Sequence, residues 1–211
     1  MITYRLAEKK DLQEIALIHT KAFPDYFLTA FGKDLLYKFY ESYLKNKQVF
    51  IVAEKENKVI GFILGNNSDI SRKEFFNKNF YKIVFKIISE LLKGNKILWK
   101  GMFQRLFFIK EAILSKINKS KGKALKNEGG GYSLGTSYRL LSIAVDPNER
   151  GNNSAFEMEK YFCNKLKEKN VITVGLSVKK ENIRAINFYK KCKYEIEKEE
   201  KESIYYIKNI I

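Results

Sequence analysis

Leu141-Ser-Ile-Ala-Val-Asp-Pro-Asn-Glu-Arg-Gly-Asn-Asn-Ser-Ala155 is the stretch on which the reading of this chain turns. A β-rich run ends at Asp146-Pro147, a short polar loop follows, and helix formers return at Phe156-Glu-Met-Glu-Lys-Tyr-Phe. The backbone N–H groups of Gly151, Asn152, Asn153, Ser154 and Ala155 therefore fall in the open first turn of a helix, where they are free to face an anion. Gly151 allows close approach of a ligand, and Asn152 and Asn153 tolerate the left-handed backbone region better than most residues. Arg150 adds a permanently charged, fork-shaped side chain suited to a phosphate.

The 211 residues and 45% hydrophobic content are enough to bury a core as one domain with an elaboration. Two cysteines, Cys163 and Cys192, make no disulfide framework and fit a reducing compartment. The N-terminal residues carry no apolar signal core, and no stretch reaches the roughly 18 uncharged apolar residues of a spanning helix. The chain reads as cytoplasmic, with no metal site expected.

Read as Val-x-Pro-x-x-Arg-x-x-Gly-x-Gly/Ala, the opening stretch resembles the acetyl-coenzyme A pyrophosphate loop of the GCN5-related N-acetyltransferase (GNAT) superfamily, in its bacterial small-molecule form. Val145, Pro147, Arg150 and Ala155 match, and Asn153 stands where the family prefers glycine. Downstream, Leu176-Ser-Val-Lys-Lys-Glu-Asn182-Ile-Arg-Ala185-Ile186-Asn-Phe188-Tyr189 resembles the family's strand, Asn, Ala-Ile and Phe/Tyr-Tyr pattern, while Lys193 replaces the usual glycine before Tyr194.

The resemblance implies a mixed α/β, α+β-like fold with a twisted, mostly antiparallel sheet flanked by helices, and acetyl-CoA as cofactor. It implies that Tyr138 to Val145 splays from the parallel strand Ile172 to Val178, with pantetheine in the gap against the exposed backbone of Ile143 and Val145, and Ala144 between them counted among the cofactor-binding residues. It implies direct attack of an amine on the thioester, with Tyr189 as the acid for the departing thiolate. A buried core tyrosine is the competing reading of Tyr189. Asn182 is read either as a cofactor contact or as a plain helix N-cap.

Along the chain, Ile2 to Leu6 alternates as a strand, and Asp11 with Glu14 predicts a capping box for a helix whose apolar face is Leu12, Ile15, Ala16, Ile18 and Ala22, ended by Pro24. His19, the single histidine, is read as structural rather than as a base. The aromatic run from Phe23 to Tyr40 matches the family's acceptor region; Phe27, Leu28, Phe31, Leu35, Phe39 and Tyr40 also read as core, and Asp25 and Tyr26 are the polar candidates for substrate. Gln48 to Ala53 and Lys58 to Gly65 predict a hairpin across Glu54 to Asn57, and Ser203 to Lys208 predicts a last strand.

The whole chain, 1–211, reads as one acetyltransferase domain with a helical insertion at 71–126 and a glycine-rich loop at 127–136. The insertion holds 15 Lys and Arg against three Asp and Glu, so 12 of the net +16 charge lie there. Phe76, Phe80, Ile83, Val84, Ile87, Ile88 and Leu91 outline one helix with Lys78, Lys82 and Lys86 opposite. Gly94-Asn95 would cap it, and Trp99, Met102, Phe103, Leu106, Ile109 and Ile113 outline a second helix of a hairpin.

Three readings of this basic hairpin stand side by side: packing on the domain or on a second copy of the chain, a lid that attracts an anionic acceptor, and peripheral contact with an acidic membrane. Aromatics on the apolar side rather than among the lysines argue against nucleic acid. The expected activity is acetyl transfer to an amine of a small, anionic or neutral acceptor such as an amino sugar. The alternative is a non-enzymatic anion- or membrane-surface-binding protein on the same scaffold.

Overall fold

The structure, a computed structural model, describes residues 1–94 and 137–211, without the side chains of Leu91 and Ser137. Its strands are β1 (Ile2–Leu6), β2 (Phe50–Lys55), β3 (Lys58–Asn66), β4 (Ser137–Val145), β5 (Thr173–Lys179), β6 (Glu195–Glu199) and β7 (Ser203–Asn209). Its helices are α1 (Leu12–Ala22), α2 (Lys33–Lys45), α3 (Ile70–Leu92), α4 (Ser154–Lys167) and α5 (Ile183–Lys191). The strands form one sheet in the order β1-β2-β3-β4-β5-β7-β6, in which only β4 and β5 run parallel. This is the mixed, mostly antiparallel fold expected.

The central strands are buried on both faces, as the period of two requires. Val49, Ile51 and Ala53 point to a core shared with Met158, Phe162 and Leu166 of α4 and Ile186 and Tyr189 of α5. Phe50, Val52, Phe62 and Leu64 point the other way, onto Leu12, Ile15 and Ile18 of α1 and Leu36, Tyr40 and Tyr43 of α2. Of the aromatic run, Phe31, Leu35 and Tyr40 are buried, with Phe27, Leu28 and Phe39 packed at their edge. The core reading of these residues holds.

The capping box is formed one step earlier than expected, between Glu8 and Asp11 around a short 3-10 turn; Asp11 stands at the N-cap position of α1, as expected, but its side chain makes no cap there. Its carboxylate is committed to Arg5, at 2.7 and 2.8 Å, and Arg5 also holds Glu54 of β2. Burial works to raise the Asp11 carboxyl, but Arg5 and the Glu8 N–H more than offset it and hold it below the usual range. Glu14, free of the cap, accepts the Val59 N–H at 2.7 Å and ties α1 to β3.

The first hairpin is tighter than expected: β2 runs on to Lys55, and Glu56 and Asn57 alone make the turn, both at positive φ (52° and 61°). That is the backbone a two-residue hairpin loop needs to match strand twist. β6, with the sequence Glu-Ile-Glu-Lys-Glu, is exposed along its length, so no apolar alternation marks it as a strand. Lys193 takes φ +63°, the left-handed conformation of the glycine it replaces, so the turn into β6 keeps its shape despite the side chain.

In the insertion, α3 is present, but it buries Phe75, Ile83 and Ile87 against Phe31 and Leu35, while Ile88 of the expected packed face is 53% exposed. Lys86, expected on the solvent stripe, pairs with Glu90 instead. Gly94 has φ +73°, as suits a residue just past a helix end. The second helix from Trp99 to Ile113 and the loop 127–136 lie outside the described residues.

Gly65 sits beside the β-bulge between β3 and β4, where the sheet meets α4. A Cβ there would stand 2.5 Å from the Phe162 ring and 2.9 Å from the Arg139 carbonyl. Neither can move freely, so Gly65→Ala is expected to destabilise the protein by about 1–3 kcal/mol, read as a lower midpoint in urea with an unchanged slope.

Candidate functional site

The site begins with the way β4 is shared. It pairs with β3 from Arg139 to Val145, but with β5 only at Ser137, Tyr138 and Arg139, opposite Thr173, Val174 and Gly175. Beyond that point the two parallel strands separate, as expected of this pair. The closed end is clasped by Arg139, whose side chain lies over Gly175, where any Cβ would collide with it, and reaches Glu197 of β6 at 3.2 Å.

Backbone parity says which groups face the gap. The Asp146 N–H donates to the Ile60 carbonyl at 2.8 Å, so Ala144 and Ser142, two and four residues back, turn their amides toward β3. Ile143 and Val145 turn theirs the other way, toward the missing partner. Ala144, between them, turns its amide toward β3 and is buried among the residues packed on α1 and α2. An extended amide-bearing chain fits this edge as an added strand would.

The loop after β4 is anchored from three sides. Asp146 accepts the Asn148 N–H at 3.0 Å and binds Lys21 of α1 at 2.8 Å, and Glu149 binds Lys55 of β2 at 3.0 Å. Gly151 (φ +92°) and Asn153 (φ +64°) then take the left-handed region, which makes asparagine the natural stand-in for glycine at 153. Asn152 Oδ1 accepts the Ser154 N–H at 3.1 Å. The N–H groups of Gly151, Asn152, Asn153 and Ala155 have no hydrogen-bond partner among the described residues. Four free donors at the start of a 14-residue helix form an anion cradle.

Arg150 stands beside this cradle, exposed, with Arg184 next to it. Burial first, and then the Arg184 guanidinium, lower its pKa, only partly countered by Asp146. Neither arginine has an ion pair among the described residues. Sequence reasoning passed over Arg184. The available signal was a cation in the first turn of α5, where the helix dipole disfavours it unless an anion is near. Lys21, 125 residues from its partner Asp146, had no signal in the sequence.

Asn182 is the N-cap of α5: its Oδ1 accepts the Ala185 N–H at 3.1 Å, leaving its amide N–H groups as its only means of meeting a ligand. Tyr189, two turns further, is 7% exposed, its ring set edge-on or tilted against those of Phe188, Tyr194 and Tyr206. Its hydroxyl has no hydrogen bond among the described residues, yet it is not sealed off as those of Tyr194 and Tyr206 are. Burial, and then nearby Tyr26, hold this phenol well above its ordinary value, so it is protonated throughout the physiological range. Tyr26, 43% exposed and packed on Phe23, is close enough to act on the Tyr189 phenol; Asp25 stays exposed on the same loop.

The comparisons with known proteins agree with this geometry. The sequence profile of the Acetyltransferase (GNAT) family matches residues 127–194. No curated protein sequence matches the chain. Among solved structures, Ard1 of Thermoplasma volcanium is 16% identical with a TM-score of 0.57, covering 100% of this chain and 98% of its own. The PaiA N-acetyltransferase of Thermoplasma acidophilum, in complex with coenzyme A, is 12% identical with a TM-score of 0.59 and 99% of both chains covered. YncA of Salmonella typhimurium, with its cofactor acetyl-CoA, is 10% identical with a TM-score of 0.59, covering 100% of this chain and 94% of its own. The described chain therefore has the fold of these proteins, with the family's sequence in residues 127–194.

His19 is buried under the same region. Its Nδ1 lies 2.6 Å from the Tyr40 hydroxyl. Burial lowers its pKa from 6.5 to about 4, so it is neutral in the folded state and serves structure, as read from sequence. The unfolded chain takes up this proton below 6.5 and the folded chain only near 4, so the stability contribution is complete above 6.5 and is lost as pH falls toward 4. Urea midpoints at about pH 7.5 and about pH 5 should show this acid loss in the parent and a smaller one in His19→Gln, which keeps hydrogen-bonding groups but does not titrate.

Proposed function

We propose that this chain, a GNAT-fold protein with the family's sequence over residues 127–194, is an acetyl-CoA-dependent N-acetyltransferase acting on the amine of a small acceptor. The observation that carries the reading is the opening of β4 from β5 beside an unpartnered cradle of loop amides. An amide-bearing chain ending in a pyrophosphate needs both features, and in this order along the strand.

In this reading Arg150, Arg184 and the N–H groups of Gly151, Asn152, Asn153, Ser154 and Ala155 hold the phosphates. Ser154 contributes less than the others, because its N–H is already bonded to Asn152. The amides of Ile143 and Val145 hold the extended arm, and Asn182 reaches it through its amide N–H groups. Acetyl-CoA, when bound, supplies a thioester carbonyl open to attack by an amine.

A β4 N–H facing the gap polarises that carbonyl, at an edge where water is displaced and a preorganised donor counts most. Tyr189 keeps its proton through neutral pH and gives it to the departing sulfur. Asp25 and Tyr26, on the loop that meets Tyr189, receive the acceptor, with Asp25 the carboxylate available for its ammonium. No carboxylate lies on β4 itself, so the acceptor's proton leaves toward that loop or through water. The net charge of +16 favours an anionic acceptor, of which a phosphorylated amino sugar is one example.

Two measurements test the reading. Arg150→Ala and Arg184→Ala should each weaken coenzyme A binding by about 1.5–3 kcal/mol in calorimetry and leave a pantetheine fragment almost unaffected. Equal losses for both ligands would remove the phosphate assignment.

Tyr189→Phe keeps the ring packing and removes the donor. With amine acceptors monitored by thiol release, kcat should fall about 10²–10⁴-fold while the melting temperature and the coenzyme A Kd hardly move. A lower melting temperature with kcat within about twofold of the parent would make Tyr189 a core residue and send the search for the acid elsewhere.

A further inference from the structure

The helix α3, 23 residues from Ile70 to Leu92, has two apolar faces. One is packed: Phe75, Ile83 and Ile87 bury themselves against Phe31 and Leu35, and the Phe39 and Phe75 rings meet edge to face at 5.3 Å. On the opposite side Ile70, Phe85, Ile88 and Leu92 are 61, 76, 53 and 85% exposed. Their spacing places all four on one stripe of a 3.6-residue helix, with Glu74, Asn77 and Tyr81 between Ile70 and Phe85. The C-terminal part of the stripe, Phe85, Ile88 and Leu92, is its apolar end, and an exposed apolar cluster of this kind favours a second apolar phase.

The flanks of the stripe are cationic. Lys73, Lys78 and Lys82 are exposed, and α3 as a whole carries five Lys and Arg against two Glu. Lys82 and Lys38 of α2 lie close enough to disfavour each other's charge, which Asp34 and Glu41 partly offset. An anionic surface would relieve that repulsion further.

We propose that this face of α3 docks on the surface of an anionic phospholipid bilayer, with Ile70, Phe85, Ile88 and Leu92 inserted among the acyl chain ends and Lys73, Lys78, Lys82 and Lys38 on the headgroup phosphates. A lipid surface supplies both phases at once, apolar beneath and anionic above, which is the arrangement that holds amphipathic helices in the interface plane. A second copy of the chain supplies only the first. A two-fold contact through the stripe would set the lysines of one chain against those of the other, in a protein of net charge +16. Single-stranded nucleic acid supplies only the second, because Ile70, Ile88 and Leu92 offer no surface for base stacking. The proposal is independent of the acetyl-transfer reading.

The test uses the whole chain and cosedimentation with vesicles of phosphatidylcholine alone or with phosphatidylserine added. The parent should sediment with the phosphatidylserine vesicles, far less with phosphatidylcholine, and be released as salt rises. Phe85→Ser with Leu92→Ser, and separately Ile70→Ser with Ile88→Ser, should weaken that binding roughly 10-fold or more with the melting temperature unchanged. Lys73→Gln with Lys82→Gln should also weaken it and flatten its salt dependence. The idea is overturned if the parent does not sediment at low salt, or if both serine pairs bind as the parent does. It is equally overturned if ultracentrifugation shows a dimer that the serine pairs dissolve, which gives the face to a second copy. Retention by a single-stranded oligonucleotide that the same pairs abolish would give it to nucleic acid.

Discussion

A strand in a closed sheet has both edges satisfied, and β4 does not. Every amide it turns toward β3 is paired as far as Val145, but on its other edge the ladder to β5 stops at Arg139. β5 keeps its other edge bonded along its whole length to β7, from Thr173 opposite Asn209 to Lys179 opposite Ser203, and parts from β4 beyond Gly175. The twist of that antiparallel pair carries it away from β4. Backbone donors and acceptors left open in this way are a standing demand for a partner. The rest of the site is built around that demand.

Two helices frame the opening because each follows one of the parting strands. α4 begins just past β4 and α5 just past β5, so both N-termini lie at the open end, with free amides on α4 and the Arg184 cation on α5. The packing that holds them is apolar and shared: Met158, Phe162, Ile186 and Tyr189 belong to one cluster on one face of the sheet. Anion recognition is thus carried by groups whose positions the core determines. The salt bridges from Lys21 and Lys55 to Asp146 and Glu149 add to this by tying the loop to α1 and β2. They are partly exposed, so their value lies more in orientation than in stability.

The same core explains the side chains that depart from the family pattern. Asn153 and Lys193 both occupy left-handed positions, at φ +64° and +63°. The backbone path is set by the elements on either side, so the chain retains the conformation and the non-glycine residue accepts the strain. Asparagine does so at lower cost than lysine. α3 answers to a different rule: among the described residues it is bound by one face, and its outward stripe is a property of the helix and not of the sheet.

Local sequence by itself determined those features whose cause is local. The loop from Asp146 to Ala155, with an asparagine at the left-handed position and donors free at the helix start, was legible because glycine and asparagine chemistry acts within a few residues. The helix over Leu12 to Ala22, the core placement of Phe31, Leu35 and Tyr40, and most strands followed from periodicity. Tertiary structure alone decided the rest. The Asp11 side chain does not cap α1 because Arg5 of β1 and the Glu8 N–H already hold its carboxylate, and β6 was hidden because an exposed edge strand has no apolar alternation. The approach of Arg184 to Arg150, of Tyr26 to Tyr189 and of Lys21 to Asp146 joins residues far apart in the chain, and which side chains meet there depends on how the sheet twists and on where its helices pack. Those are sums over the whole core that no single stretch of sequence contains.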